Sequence, residues 1–295
     1  MKYERIIYKF KEQLESYIVR NNIAITQETK SSEIPNDAIL LFKIGERQWI
    51  EKLYDGELCF SCVGKYIKQA ERTKNDIQGD RYEAVFAKLL KNNPKISEMR
   101  NLLQNDLEEF EENGYIYLRR KSARLIPVFC LYAFTEQVLS EENHISSEEE
   151  VELKHKLDNN MFAGFTYPFE INNVLTNACR FTGMVMQPLP FTVNIRCQMQ
   201  ELGYEYYMGL VNYSLMNEGE FFINPSPAYN ELFYKMPYYK YQNEARIILH
   251  KNIFTFDNKK LVIKMKPLKS KDKGLIDTKF EMSYKASFIK SGKRI

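Results

Sequence analysis

AILLFKIGERQWIEKLYDGELCFSCV, residues 38–63, holds three elements in 26 residues. AILLFKIG is a nearly unbroken apolar run of strand length, which reads as a buried strand. ERQWIEKLYDG places Trp49, Ile50 and Leu53 at helix spacing, and Gly56 stands where a left-handed C′ residue closes a helix. ELCFSCV then reads as a second strand. Strand, helix, glycine and strand so early in a chain set the expectation of an α+β domain.

Working outward, Ile6, Ile7, Phe10, Leu14, Tyr17 and Ile18 recur at the helix period, which predicts an amphipathic helix over residues 3–20. A polar loop containing Pro35 follows it. Downstream, residues 68–89 read as part loop and part helix. GYIYLRR (114–120) and the apolar ARLIPVFCLYAF (123–134) read as strands. SSEEEVELKHKL (146–157) is expected to be a helix, with a serine N-cap and glutamates in its first turn. FEINNVLTNACRF (169–181) is also expected to be helical. MVMQPLPFTVNI (184–195), YEYYMGLVNYS (204–214) and EARIILH (244–250) read as β-like. Strands at 39–44, 57–63 and 245–250 are expected to be central. By sequence order the domains expected are an N-terminal helix and linker (1–36), an α+β domain (37–266) and a basic C-terminal segment (267–295).

The chain has 295 residues, enough to bury a core without disulfide staples. No apolar run approaches the roughly 18 residues of a membrane span, and the charged start lacks a signal-peptide core. The expected location is the cytoplasm, with no membrane partner. Cys59 and Cys62 form a C-x-x-C, but no second pair completes a zinc set, so a structural role is expected for both. The sequence contains no glycine-rich phosphate loop, H-E-x-x-H or G-x-S-x-G. His144, His155 and His250 have no convergent partners in sequence and read as solvated or packed residues.

Net charge is +3, distributed unevenly. From Lys259 onward twelve basic residues face three acidic ones, so this tail carries +9 and the remainder −6. One reading is a polyanion contact, with nucleic acid as first candidate. The other is a lysine-rich surface whose FTFDNKKLVIKMK stretch forms an edge strand guarded by lysines.

Near the other end of the core, Gln242-Asn243-Glu244 separates an aromatic cluster, Tyr238 and Tyr239 included, from the apolar run ARIIL. A spacing of two puts Gln242 and Glu244 on one face if the strand begins there. The same spacing makes Glu244 and Arg246 a candidate ion pair. Asp80 and Glu83, in GDRYEAVF, read either as helix-capping residues or as site acids. Lys43 is unusual, because a lysine in a buried strand needs a partner; Glu244 and Asp80 are the natural ones.

Four stretches together resemble a widespread family of bacterial proteins, some described as abortive phage-infection proteins. LLFKIGERQWIEKLYDGELCFSCV resembles its opening, in which the second strand ends in Phe-Ser. GDRYEAVF resembles its Asn-Asp-x-x-Glu motif. RLIPVFCLY resembles its Cys-Phe-Ser strand, with Tyr132 in place of the serine. YEYYMGLVNYS with FYKMPYYKYQNEARIIL resembles its closing Lys…Tyr-x-x-Glu-x-Glu-x-Arg motif. The resemblance spans residues 39–250.

That layout in turn resembles mono-ADP-ribosyltransferases, which implies a single domain with a split mixed β core flanked by helices and NAD as substrate. Carried over residue by residue, the resemblance puts Lys43 in the place of the first-strand Arg or His. Ser61 falls at the end of the second strand, and Gln242 with Glu244 forms the late acid motif. It makes Glu244, Gln242 and Ser61 the catalytic candidates. Lys43, Phe60, Tyr238, Tyr239 and Arg246 become the cofactor-binding ones. Lysine at position 43 departs from the pattern, since it offers a mobile point charge instead of a planar fork. The implied setting is a toxin or effector of phage defence acting on a protein or nucleic-acid acceptor, with no metal. Two other classes remain open: a non-catalytic binding or inhibitor protein on the same fold, and a metal-dependent nuclease using Asp80, Glu83 and Glu244.

Overall fold

The computed structural model describes residues 38–73, 79–135, 150–156, 181–213, 220–221, 229–249, 260–269, 273–276 and 281–287. The strands run in chain order β1 (Ala38–Glu46), β2 (Glu57–Cys62), β3 (Val85–Leu90), β4 (Leu107–Glu112), β5 (Tyr115–Arg120) and β6 (Pro127–Thr135). They continue as β7 (Glu150–Lys156), β8 (Phe181–Met186), β9 (Tyr206–Leu210), β10 (Asn212–Tyr213) and β11 (Glu220–Phe221). The last five are β12 (Tyr234–Lys235), β13 (Glu244–Leu249), β14 (Lys260–Lys264), β15 (Lys273–Ile276) and β16 (Glu281–Ser287). The helices are α1 (Arg47–Tyr54), α2 (Val63–Thr73), α3 (Lys95–Leu103) and α4 (Pro188–Leu202). The fold is mixed α+β with antiparallel sheets; the short β10–β12 pair is parallel. The strands expected at 39–44, 57–63 and 245–250 are β1, β2 and β13. Among the described residues no helix is long and apolar enough to cross a membrane.

The chain divides into two compact units that alternate along the sequence. Unit one is Met1–Asp55, Tyr132–Gln198 and Lys266–Ile295; unit two is Gly56–Leu131 and Met199–Met265. In unit one, β1 pairs antiparallel with residues 132–135 of β6 and with β8, and β8 pairs with β15. Lys43 is half-buried on β1, opposite Met184 of β8. Helix α1 turns Ile50 and Leu53 inward. The helix ends as its sequence predicts, with the Asp55 N–H donating to Glu51 O and Gly56 at φ 97°. Lys273 of β15 donates to Tyr54 O and lies 3.5 Å from the centre of that tyrosine's ring. A cation at the carbonyl end of α1 suits the helix dipole, so this tail lysine has a structural task.

In unit two, β2 lies between β14 and residues 127–128 of β6, while β13 pairs with β6 and β9. A second sheet, β11-β3-β5-β4, packs Phe86, Leu89, Ile116 and Leu118 against Ile96 of α3. Its β4–β5 hairpin turns at Asn113-Gly114, both at positive φ, as a tight primed turn requires. β14 ends its strand order and leaves Lys260, Val262 and Lys264 exposed, which fits the guarded-edge reading of the tail.

Three expectations change. Residues 146–157 were expected to be helical, but 150–156 form β7, paired residue for residue with β16 from Glu150↔Ser287 to Lys156↔Glu281. Val151 and Leu153 are two apart, a strand period that the acidic first-turn pattern obscured. PLPFTVNI is helical, not β-like. Phe191, Ile195 and Met199, all fully buried, recur every four residues, and both prolines fall in the first turn, where the missing N–H costs nothing. Within 68–89, AVFAKL contributes β3, and the helix begins earlier, at Val63. The helix expected at 3–20, residues 169–180 of the one expected at 169–181, and residues His144 and His250 lie outside the described residues; Phe181 begins β8.

Candidate functional site

The 3-10 turn Pro237–Gln242 sets up the aromatic-to-polar switch that precedes β13. Pro237 opens it, and Asn243 closes it in the left-handed region at φ 35°, donating its N–H to Lys240 O at 3.0 Å. The strand therefore begins at Glu244. Gln242 lies in the turn, so the expectation that strand alternation puts Gln242 and Glu244 on one face does not hold. Lys235 of β12 unites them: its Nζ donates to Gln242 Oε1 at 2.8 Å and to Glu244 Oε2 at 2.6 Å.

Arg246, two residues along β13, completes the arrangement. Its Nε donates to Glu244 Oε1 at 2.7 Å, and its Nη2 donates to Glu83 Oε2 at 2.9 Å. Its Nη1 donates to Glu83 Oε1 and to the Leu232 carbonyl. The candidate Glu244–Arg246 ion pair forms, and it is buried. Glu244 is 6% exposed, Arg246 3%, Lys235 8%, and Glu83 and Asp80 2% each. Five ionisable side chains thus meet away from solvent, three acids and two bases, drawn from the 80–83 turn, β12 and β13.

Asp80 and Glu83 cap no helix. Asp80 Oδ1 accepts the Tyr82 N–H at 2.8 Å in an Asx turn, and the chain passes through Ala84 at φ 63° into β3. Asp80 Oδ2 is buried without a hydrogen-bond partner. Gly79 holds this turn in place. A Cβ there would sit 2.5 Å from Ala70 N and 2.6 Å from Tyr66 O of α2, so only glycine allows the approach. The Tyr239 hydroxyl donates to Gly79 O at 3.2 Å from the other side. Gly79→Ala is expected to cost about 1–3 kcal/mol, because backbone blocks the methyl and nothing flexible can yield. Urea denaturation of the variant measures this, and an unchanged midpoint would refute the packing argument.

The electrostatics follow from burial and pairing. Burial pushes the Glu244 carboxyl up, but Arg246 and Lys235, with hydrogen bonds from Arg246 and Cys130, hold it below the usual carboxylate range. Burial opposes charge on Lys235 and Arg246 too. The surrounding acids together outweigh it, Glu244 most and Glu83 after it, and both stay protonated. Asp80 goes the other way: burial and then Glu83 raise it to about 7, against Lys235, the Tyr82 N–H and Arg246. The Tyr213 hydroxyl accepts the Glu244 N–H at 2.8 Å.

Ser61 sits on β2, 9% exposed, and shares a side-chain hydrogen bond with Tyr66, whose hydroxyl feels Cys130, Glu244 and Arg246. Ser61, Gln242 and Glu244 all belong to unit two; Lys43 belongs to unit one. Phe60 is a fully buried core residue, with its ring 5.6 Å from that of Phe129. Tyr239 is buried at 1% exposure, with Lys235 5.2 Å from the centre of its ring, whereas Tyr238, tilted at 38° against it, is 49% exposed. Of the three aromatic cofactor-binding candidates, Phe60, Tyr238 and Tyr239, Tyr238 alone is exposed. In the basic segment, Lys266 and Lys269 are exposed, and Lys271 lies outside the described residues.

Sequence reasoning did not single out Lys235, Gly79, Tyr66, Cys130 or Tyr213. Lys235 had a signal: a lone lysine in the aromatic run FYKMPYY, just ahead of a buried strand. Cys59 and Cys62 are free thiols, half-buried and buried. Among the described residues no group of three His, Cys, Asp or Glu is placed to hold a metal ion. No protein-family model, curated protein or solved structure matches the chain.

Proposed function

We propose that the protein is an ADP-ribosyltransferase-like effector that takes NAD as substrate, with Glu244 as its catalytic carboxylate. The supporting observation is the convergence of Gln242 and Glu244 on the Lys235 ammonium, inside a buried cluster with Asp80, Glu83 and Arg246. So many buried charges cost stability unless they serve a purpose, and perturbed carboxylates gather at functional sites. In this reaction the bond from ribose C1′ to the nicotinamide nitrogen breaks, and its electron pair leaves with the nicotinamide. The acceptor's lone pair then forms the new bond to C1′ and the acceptor loses its proton. Glu244 would hold the ribose 2′-hydroxyl and stabilise the positive charge that develops at C1′. Lys235 and, at 3.3 Å, Arg246 Nη2 donate to Glu244 Oε2, and the Lys235 ammonium, on a flexible four-carbon stem, is the partner able to move aside for this hydroxyl. The phage-defence setting, as a toxin acting on a protein or nucleic-acid acceptor, rests on the four-motif resemblance.

One observation favours a second reading, a binding or inhibitor protein without turnover. Both Glu244 oxygens already accept from cations at 6% exposure, as in an architectural ion pair. The wild-type chain separates the two readings. Nicotinamide release from NAD, together with growth arrest on expression in bacteria, is the result expected of the enzyme. NAD binding by calorimetry without release would support the second reading, and neither binding nor release would overturn both.

A further inference from the structure

The cluster in unit two carries three carboxyl groups against two cations, and one carboxylate oxygen has no partner. Glu83 and Glu244 share Arg246, and Glu244 also takes Lys235. These four groups balance. Asp80 is the fifth, 2% exposed, with Oδ1 on the Tyr82 N–H and Oδ2 on nothing. An ionised carboxylate in that position would be a buried, half-satisfied charge beside a balanced set, the costliest state such a group can have. A neutral carboxylic acid there removes the excess charge and leaves the two ion pairs intact.

We propose that Asp80 is carried as a neutral acid and acts as a proton lock, so that loss of its proton loosens the 79–84 turn from β12 and β13. The charged and titratable groups that face it are Glu83 of its own turn, Lys235 of β12 and Arg246 of β13. Burial and Glu83 favour the neutral form, and the two cations and the Tyr82 N–H oppose it. The balance puts the carboxyl at about 7. Besides the ion cluster, the turn is anchored by the Tyr239 hydroxyl on Gly79 O, by the close approach of Gly79 to α2, and to the second sheet by Arg81 and Tyr82 on Glu112 of β4 and by Arg119 of β5 on Arg81 O, so the lock acts on its hold on β12 and β13 alone. The lock concerns the cluster's architecture and holds whether or not Glu244 does chemistry.

The sign of the pH dependence follows from linkage. Asp80 is raised in the folded state above its ordinary 3.8, so the unfolded chain gives up that proton first. Its contribution to stability is full below about pH 4 and is lost as pH rises toward about 7. Glu244 runs opposite: lowered in the folded state, it contributes above about pH 4.5 and that contribution is lost only in strong acid.

The test compares the wild-type chain with Asp80→Asn, which mimics the neutral acid at every pH. Urea unfolding from pH 5 to pH 8 should show wild-type stability falling relative to the variant, with the unfolding-constant ratio changing at least tenfold. Infrared difference spectra should show a neutral carboxylic-acid band at pH 6 that is absent from Asp80→Asn. Parallel pH profiles for the two proteins, or no such band at pH 6, would overturn the lock. Should Asp80→Asn fail to fold, the band and its loss between pH 6 and pH 8 in the wild type decide the matter alone.

Discussion

Arg246→Met should be the most damaging single substitution in the described chain, costing about 3–5 kcal/mol and leaving the protein at or below its folding threshold at growth temperature. The reasoning rests on counting charges and bonds. Among the described residues Arg246 alone touches both Glu83 and Glu244 through hydrogen bonds, and it also donates to the Leu232 carbonyl. Methionine nearly fills the volume, so packing is not the main loss. What remains is two buried carboxylates and Asp80 facing Lys235 alone, which lies 4.0 Å from Glu83. Removing one partner of a buried pair strands the other in low dielectric, whereas replacing both often costs little. Arg246→Lys should recover less than half of the loss. A single ammonium cannot reproduce the forked contacts to Glu83 and Glu244 at once. Denaturant unfolding followed by circular dichroism measures both variants. Stability of Arg246→Met within about 1 kcal/mol of wild type would mean that the cluster contributes little to the fold.

The sequence announced this cluster in fragments. The strand β13 was legible because Ala245 and Ile247 to Leu249 form an apolar run interrupted only by Arg246, and Gly56 marked the end of α1. Glu244 and Arg246 could be paired by counting, but whether they lay inside or outside could not. Burial there depends on β9 pairing with one side of β13, a contact across more than thirty residues that periodicity does not encode. The same holds for Glu83, which meets Arg246 across 163 residues. Asn243 shows a local rule overriding a pattern. Asn tolerates the left-handed region, and one such residue ended the turn and moved Gln242 off the strand. The Asn113-Gly114 hairpin was readable and stood between two stretches of strand length, yet LEEFEE is so acidic that only GYIYLRR read as a strand. Its four glutamates are each bonded to a lysine or arginine, so the acidity does not destabilise β4.

Glu244→Gln alone cannot tell chemistry from architecture, because its stability and its activity should fall together. The amide removes one charge from a buried network in which Glu244 touches Lys235 and Arg246, so a loss of about 2–4 kcal/mol is expected. Lys235→Met should cost a similar amount, by leaving Glu244, Glu83 and Asp80 against Arg246. The double variant Glu244→Gln, Lys235→Met is the informative one. It deletes the ion pair as a pair, keeps near-native volumes and leaves Glu83 with Arg246 intact. Its stability should lie above the sum of the single losses by roughly 1.5–3 kcal/mol, the coupling expected of neighbours in one network. Methionine also suits the space over the Tyr239 ring, where Lys235 now lies. If Glu244 stabilises the charge developing on ribose, this refolded protein should still lose NAD turnover by at least about 100-fold. Turnover retained in a stable double variant would remove Glu244 from the chemistry, and a coupling near zero would remove Lys235 as its partner. Because the double variant keeps its fold, the activity lost there belongs to the Glu244–Lys235 pair and not to the scaffold around it.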